Sequence, residues 1–108
     1  MATFLCQVQY SAAAFKGMLT KHSDRNAAAT ALFNAAGIKV PTFYYSVSRG
    51  GIVCIVECAL EQVTSLGMVM NASGGFSSVE MIELVSMEQM GLALKSAAEV
   101  AGKYQTPN

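Results

Sequence analysis

The chain has 108 residues, of which 53% are hydrophobic and only 13% are charged, against roughly 25% charged residues in an average soluble domain. The length predicts a single domain over residues 1–108. Because so few charged side chains cannot cover the large relative surface of a small domain, we expect this domain to assemble as a homodimer or a larger homo-oligomer. The seven basic and seven acidic side chains cancel and form no runs, which argues against nucleic-acid and membrane-surface partners because both favour a basic face.

The first ten residues alternate between apolar and polar positions, as a strand does, and lack the basic segment of a signal peptide. No apolar run approaches the roughly 20 residues that span a bilayer. The three cysteines, Cys6, Cys54 and Cys58, make an odd count that is typical of buried free thiols in a reducing compartment. We therefore expect a cytoplasmic protein with no membrane segment.

The first third of the chain predicts one strand and two helices. Residues 3–10 alternate as a strand with one dry face. Ser11 can cap a helix that carries apolar residues at helical spacing, and Ser23 or Asp24 can start a second, alanine-rich helix. Gly37 then ends this helix in the left-handed conformation.

The middle of the chain predicts a β-hairpin. Residues 38–48 are rich in β-branched and aromatic side chains, and Pro41 suggests an edge position. Residues 48–51, Ser-Arg-Gly-Gly, form the turn, where glycine supplies a positive φ. Residues 52–58 are apolar at nearly every position, which is typical of a central strand covered on both faces.

The last part predicts a helix over residues 60–70, a strand over 76–85 and a final helix that begins with a Ser86-x-x-Gln89 capping box. The resulting order is βαββαβ followed by a helix. It predicts an α+β, ferredoxin-like plait with a four-stranded antiparallel sheet and helices on one face. Two copies packed through their bare sheet faces would form a dimer.

Several short motifs carry a family resemblance. They are Ser23–Arg25, the Gly-Ile-Lys-Val of residues 37–40, the Phe-Tyr-Tyr-Ser of residues 43–46 and the Ile-Val-Glu of residues 55–57. In these motifs the chain resembles the GYD domain family, which is grouped with the dimeric α/β-barrel, ferredoxin-like superfamily. The resemblance implies that fold but no catalytic residues. The Gly-Tyr-Asp signature of the family is absent, since the hairpin reads Ser-Arg-Gly-Gly.

Four side chains are candidate catalytic residues. His22, the single histidine, is either a general base or an exposed loop residue, and the loop interpretation is favoured because no catalytic partner is near it in sequence. Glu57 ends an apolar strand, so it is either partly buried with a raised pKa or paired with Arg25 or Lys39. Arg25 and Tyr44 complete the set.

Tyr44 and Tyr45 point to opposite faces of their strand, so we expect one in the core and one on the open sheet face. Gln7 and Gln9 also fall on a mixed face of the first strand. Together with Tyr44 they are candidate ligand-binding residues, although hydrogen bonding at a subunit interface is the favoured interpretation.

No cofactor or metal is predicted. Cys54 and Cys58 lie on one strand roughly 13 Å apart, which is too far for a thiolate zinc site. The Gly74-Gly75 segment precedes a strand, so it predicts a turn and not a phosphate loop.

Two functional hypotheses follow. The first is a homo-oligomeric module that binds a small hydrophobic molecule or serves in assembly through its open sheet. The alternative is a cofactor-independent enzyme of the isomerase or monooxygenase type, acting on a hydrophobic or aromatic metabolite with His22 as base. The second rests on fold analogy alone.

Overall fold

The computed structural model describes residues 1–107. These residues form four strands and four helices: β1 (Ala2–Tyr10), α1 (Ala12–Thr20), α2 (Arg25–Ala35), β2 (Tyr44–Ser46), β3 (Gly51–Cys58), α3 (Leu60–Ala72), β4 (Phe76–Leu84) and α4 (Met87–Ala101). The predicted βαββαβ order with a final helix is confirmed. The first crossover consists of two consecutive helices.

The strands form one antiparallel sheet in the order β2-β3-β1-β4. Cys6 at the middle of β1 lies between Cys54 of β3 and Met81 of β4. Because side chains alternate between the two faces of a sheet, these residues share the face that the helices cover. This arrangement confirms the predicted ferredoxin-like plait. We call the other side of the sheet the open face.

The core lies between the covered face of the sheet and helices α2 and α3. Helix α2 contributes Phe33, and α3 contributes Val63, Leu66 and Met70 at helical spacing. The sheet contributes mainly alternate residues of its two central strands: Phe4, Cys6, Val8, Cys54, Val56 and Cys58. The alternation in β1 that predicted one dry face is therefore confirmed.

The predicted helix ends are confirmed by their hydrogen bonds. Ser11 Oγ accepts from the Ala14 amide at 3.1 Å, and Asp24 Oδ1 accepts from the Ala27 amide at 3.0 Å. Such side-chain oxygens satisfy helical amides that lack an intrahelical partner. Ser86 and Gln89 form the expected capping box. Gly37 has a φ of 77° after the end of α2.

The strand predicted over residues 38–48 is wrong in extent, because only Tyr44–Ser46 pairs with the sheet. Ile38 is instead fully buried in the core, and Val40 packs against it. Proline has no amide hydrogen for a ladder, so Pro41 does not support pairing of the preceding segment. High β-propensity at residues 38–40 therefore reflects burial and not strand formation.

The hairpin between β2 and β3 depends on two glycines with different roles. Gly50 has a φ of 73°, and its carbonyl accepts a 2.9 Å hydrogen bond from the Tyr10 amide. Gly51 lies so close to β1 that an added Cβ would stand 1.7 Å from the Val8 carbonyl oxygen. The first glycine permits the turn, and the second permits the close approach of the strands.

Strand β3 is central in the sheet, and its own chain covers only one of its two faces. Ile55 is 57% exposed, and Glu57 is also exposed. Both project from the open face, because their neighbours Cys54 and Val56 belong to the covered face. Within one chain, the open face has no second layer.

Helix α4 extends away from the rest of the chain. It contains no buried residue, although it carries Met87, Met90 and Leu94 on one side at helical spacing. The radius of gyration is 18.1 Å, against about 13 Å for a compact domain of this length. Helix α4 therefore has an apolar side without a partner inside the chain.

Across the described residues, no helix combines the length and apolar character that crossing a bilayer requires.

Candidate functional site

An apolar cavity of about 360 Å³ lies between helices α1 and α2 and the hairpin end of the sheet. We call it the aromatic cavity, because five of its lining residues are Tyr10, Phe15, Phe43, Tyr44 and Tyr45. The other lining residues are mostly aliphatic, and Arg25 and Asn26 of α2 are polar.

The walls of the aromatic cavity are held by ring contacts. Tyr10 meets Phe15 edge-to-face with ring centroids 5.6 Å apart, and it stacks on Phe76 at 5.4 Å. On the opposite side, Phe43 meets Phe33 of the core at 5.1 Å. Because such aromatic pairs have preferred geometries, they position the rings around the cavity.

A second, smaller cavity of about 40 Å³ continues toward the core and reaches Cys6 and Cys54. The Cys54 thiol donates a hydrogen bond to Cys6, which lowers the pKa of Cys6 and raises the pKa of Cys54. Burial raises the pKa of Cys54 further, and it is the main cause of the raised pKa of Cys58. All three thiols are free and buried, as predicted.

A third cavity, of about 640 Å³, lies between α1 and the start of β4. It shares Tyr10, Met18 and Arg25 with the aromatic cavity and adds Lys21. None of the residues that line these three cavities is Asp or Glu. Their charged side chains are therefore all cationic.

His22 lies in the loop between α1 and α2 and is exposed. It lines none of the three cavities described above. Its placement agrees with the favoured interpretation of an exposed loop histidine. Arg25, three residues later, is the first residue of α2 and lines all three cavities.

Tyr44 pairs with Val53, which pairs in turn with Gln7, so these side chains form one row across the open face. The ring of Tyr44 also lines the aromatic cavity at the edge of the sheet. Tyr45 belongs to the opposite face but remains 55% exposed. The expectation that one of the two tyrosines is a core residue is therefore wrong, because β2 is a short edge strand beside a cavity.

Gln9 holds the hairpin turn in place. It also lies on the open face, and its Nε2 donates a 2.9 Å hydrogen bond to the Arg49 carbonyl oxygen. Neither Gln7 nor Gln9 lines the aromatic cavity. Of the three candidate ligand-binding residues, only Tyr44 reaches it.

Glu57 is exposed, so the expected partial burial of its carboxylate is wrong. The expected pairing with Arg25 or Lys39 is also absent, since the ion pair within residues 1–107 joins Arg49 to Glu80 at 2.7 Å. Glu57 lies on the open face, whereas Arg25 belongs to a helix on the covered side. The four candidate catalytic residues therefore do not converge on one site.

No group of three or more potential metal ligands from His, Cys, Asp and Glu occurs within residues 1–107.

Most residues of the aromatic cavity were not predicted from the sequence as site residues. Phe15 and Met18 belong to the apolar residues at helical spacing that predict α1, yet α1 buries no residue fully. The pattern of a helix that packs against a sheet does not distinguish close packing from a helix that stands over a cavity. The combination of Tyr10, Phe15 and Arg25 depends on tertiary structure.

In a comparison with known families, the GYD domain model matches residues 4–94 of the chain. Comparisons with curated proteins and with solved structures find no significant match. The matched region contains the sheet apart from the first two residues of β1, together with helices α1 to α3 and the first half of α4. The predicted resemblance is therefore confirmed, and the chain belongs to the GYD domain family.

Proposed function

We propose that this protein is a small-molecule-binding module that works as a homo-oligomer, with a small hydrophobic ligand in the aromatic cavity. The aromatic cavity itself is the observation that carries the proposal. Its volume of about 360 Å³ is within the range of ligand sites, roughly 300–1,000 Å³. Ligand sites are also mainly apolar with a few placed polar groups, as Arg25 and Asn26 are in this lining.

The incomplete packing of α1 supports a bound ligand. Phe15 and Met18 are only half-buried, although both face the sheet across the cavity. Protein interiors are normally packed without voids of this size. Apolar surface left in contact with water costs free energy in proportion to its area. A hydrophobic ligand would cover these side chains and remove that cost.

A second copy of the chain is the proposed partner for the open face. Leu5, Ile55 and Ile82 lie side by side across the three strands β3, β1 and β4. Ile55 and Ile82 are exposed, and Leu5 is half-buried. A two-fold axis through this row would bury the same apolar patch on both copies. The low charge content of the chain is consistent with such an interface.

Helix α4 supports the same assembly. An isolated helix of its length is marginally stable in water, and most helical stability in proteins comes from packing of an apolar side. Within the chain, α4 buries nothing. Packing of Met87, Met90 and Leu94 against a second copy would stabilise the helix and cover these side chains.

The ligand proposal can be tested with the neutral fluorescent probe N-phenyl-1-naphthylamine, which brightens in apolar sites. Asn26 is exposed and lines the aromatic cavity, so Asn26→Trp would fill its mouth. Asn34→Trp places the same side chain on the same helix at an exposed position outside the lining. We expect Asn26→Trp to weaken probe binding at least tenfold and Asn34→Trp to leave it unchanged. Equal affinity in both variants would place the probe elsewhere and contradict the proposal.

Assembly can be tested separately by native mass spectrometry and sedimentation velocity. We expect the wild-type protein to be a dimer or a larger oligomer. Ile55→Glu would place a carboxylate inside the proposed interface, so we expect it to shift the protein toward monomer. Ser65→Glu on the exposed side of α3 is the matched control and should not change the number of protomers in the assembly. A monomeric wild-type protein at micromolar concentration would refute the assembly.

A further inference from the structure

We infer that the ligand of the aromatic cavity is an amphipathic monoanion, with an aromatic or alkyl body and one carboxylate that binds the Arg25 guanidinium. This inference rests on the proposed function, which places a hydrophobic ligand in the same cavity. It adds the charge of the ligand, its orientation and the residue that recognises it.

Arg25 lies where the aromatic cavity, the small inner cavity and the third cavity meet, since it lines each of them. The aromatic cavity and the small inner cavity also share Tyr10, Ala29 and Ile52. A ligand whose body lies among the aromatic rings would therefore have its polar end within reach of Arg25. Arg25 is the single cationic residue in the lining of the aromatic cavity.

The guanidinium of Arg25 retains free hydrogen-bonding capacity. Its Nη1 donates a 3.1 Å hydrogen bond to Ser23 Oγ, and no carboxylate of residues 1–107 lies within 4.0 Å of it. Asp24, its neighbour in sequence, accepts from the Ala27 amide as the cap of α2. Arginine presents several N–H donors in a planar fork that matches a carboxylate. The fork at Arg25 is thus available to a ligand.

The charges around the cavities favour an anion and disfavour a cation. Arg25 and Lys21 are the charged lining residues of the three cavities, and the lining contains no acidic residue. A cationic ligand would meet like charge without a carboxylate to pair with. An anionic group would gain charge-assisted hydrogen bonds, which are stronger than those between neutral groups.

The apolar lining in turn restricts the ligand to one charged group. Beyond Arg25 and Asn26, the polar atoms available in the lining are the tyrosine hydroxyls. A second charge would lie among aromatic rings without a partner, which is costly. The geometry therefore selects a molecule with one anionic end and an apolar remainder.

Two matched probes test this inference. N-phenyl-1-naphthylamine is neutral, and 8-anilinonaphthalene-1-sulfonate has the same ring system with one sulfonate. The affinity of each is measured by fluorescence titration for the wild-type protein, Arg25→Gln, Arg25→Lys and Lys39→Gln. Lys39 is exposed and lies outside the three linings, so Lys39→Gln controls for a change in net charge. 1-Naphthoate, a carboxylate, is then tested as a competitor.

The expected result is a selective loss of anion affinity. Arg25→Gln should lower the ratio of anionic-probe affinity to neutral-probe affinity about tenfold, since hydrogen bonds to charged groups are strong and the exposure of Arg25 reduces their effect. Arg25→Lys should retain part of the ratio, and Lys39→Gln should retain all of it. 1-Naphthoate should displace the sulfonate probe from the wild-type protein but only weakly from Arg25→Gln.

The outcomes separate the two proposals. An unchanged ratio in Arg25→Gln, with both probes still blocked by Asn26→Trp, would overturn the anion inference and leave the hydrophobic site intact. Binding of neither probe to the wild-type protein would refute the proposed function itself. Circular dichroism of each variant verifies that its helix and sheet content matches that of the wild-type protein.

Discussion

The close approach of β3 to β1 at Gly51 leads to a prediction about this residue. A Cβ at this position would lie 1.7 Å from the Val8 carbonyl oxygen and 2.5 Å from the Val8 carbonyl carbon. Real Cβ atoms essentially never approach a neighbour closer than 3.0 Å. Gly51→Ala would therefore force β1 and β3 apart by about 1.3 Å at the hairpin end of the sheet.

This separation would disrupt two hydrogen bonds near Gly51. They are the 2.9 Å bond from the Tyr10 amide to the Gly50 carbonyl and the 2.9 Å bond from Gln9 Nε2 to the Arg49 carbonyl. Each such bond contributes about 0.5–1.5 kcal/mol to stability. With the accompanying loss of packing around Tyr10, we expect Gly51→Ala to lower the free energy of unfolding by about 2–4 kcal/mol.

Urea unfolding followed by circular dichroism at one fixed protomer concentration measures this change, since assembly would otherwise alter the apparent stability. Gly17→Ala is the matched control. Gly17 lies inside α1, and its Cβ would meet no atom within 4 Å. This control should stabilise the protein by about 0.5–1 kcal/mol, because alanine favours the helix. If the free energy of unfolding of Gly51→Ala lies within about 0.5 kcal/mol of the wild-type value, the prediction that a Cβ at this position forces β1 and β3 apart is refuted.

Two further predictions concern a helix cap and the buried thiols. Ser11→Ala removes the Oγ that accepts from the Ala14 amide and donates to the Gly74 carbonyl, so it should cost about 1–2 kcal/mol in urea unfolding; an unchanged midpoint would contradict the role of Ser11 as a cap. Cys54 and Cys58 have raised pKa values and are buried, so neither should be alkylated by iodoacetamide at pH 8 in the native protein, whereas both should react fully in urea. Rapid native alkylation, detected by mass spectrometry, would show that the core opens at low cost.

The local signals in the sequence were reliable where one residue type has one physical use. Ser11, Asp24 and the Ser86–Gln89 pair cap helices as predicted, because their side chains reach the first free amides. Gly37 ends α2 with a positive φ as predicted. The period-two pattern of β1 likewise identified its buried face.

Predictions that depended on the neighbours of a segment were less reliable. Residues 38–40 have the composition of a strand, but Ile38 packs into the core without pairing in the sheet. The apolar run of β3 suggested two covered faces, yet Ile55 is exposed in the single chain. An apolar segment predicts that its side chains are shielded from water. It does not predict whether a helix of the same chain or a second copy of the chain covers them.

The sequence by itself determined the order of the elements and, with it, the antiparallel sheet, since caps, turns and hydrophobic periodicity act over a few residues. The positions of the candidate site residues were decided only by the tertiary structure. Tyr10, Phe15 and Arg25 come from three separate elements, and they line one cavity because the packing of α1 and α2 over the sheet leaves space there. His22 is near Arg25 in sequence but lies outside that lining. A cavity is a property of packed surfaces, so no local pattern in the chain encodes it.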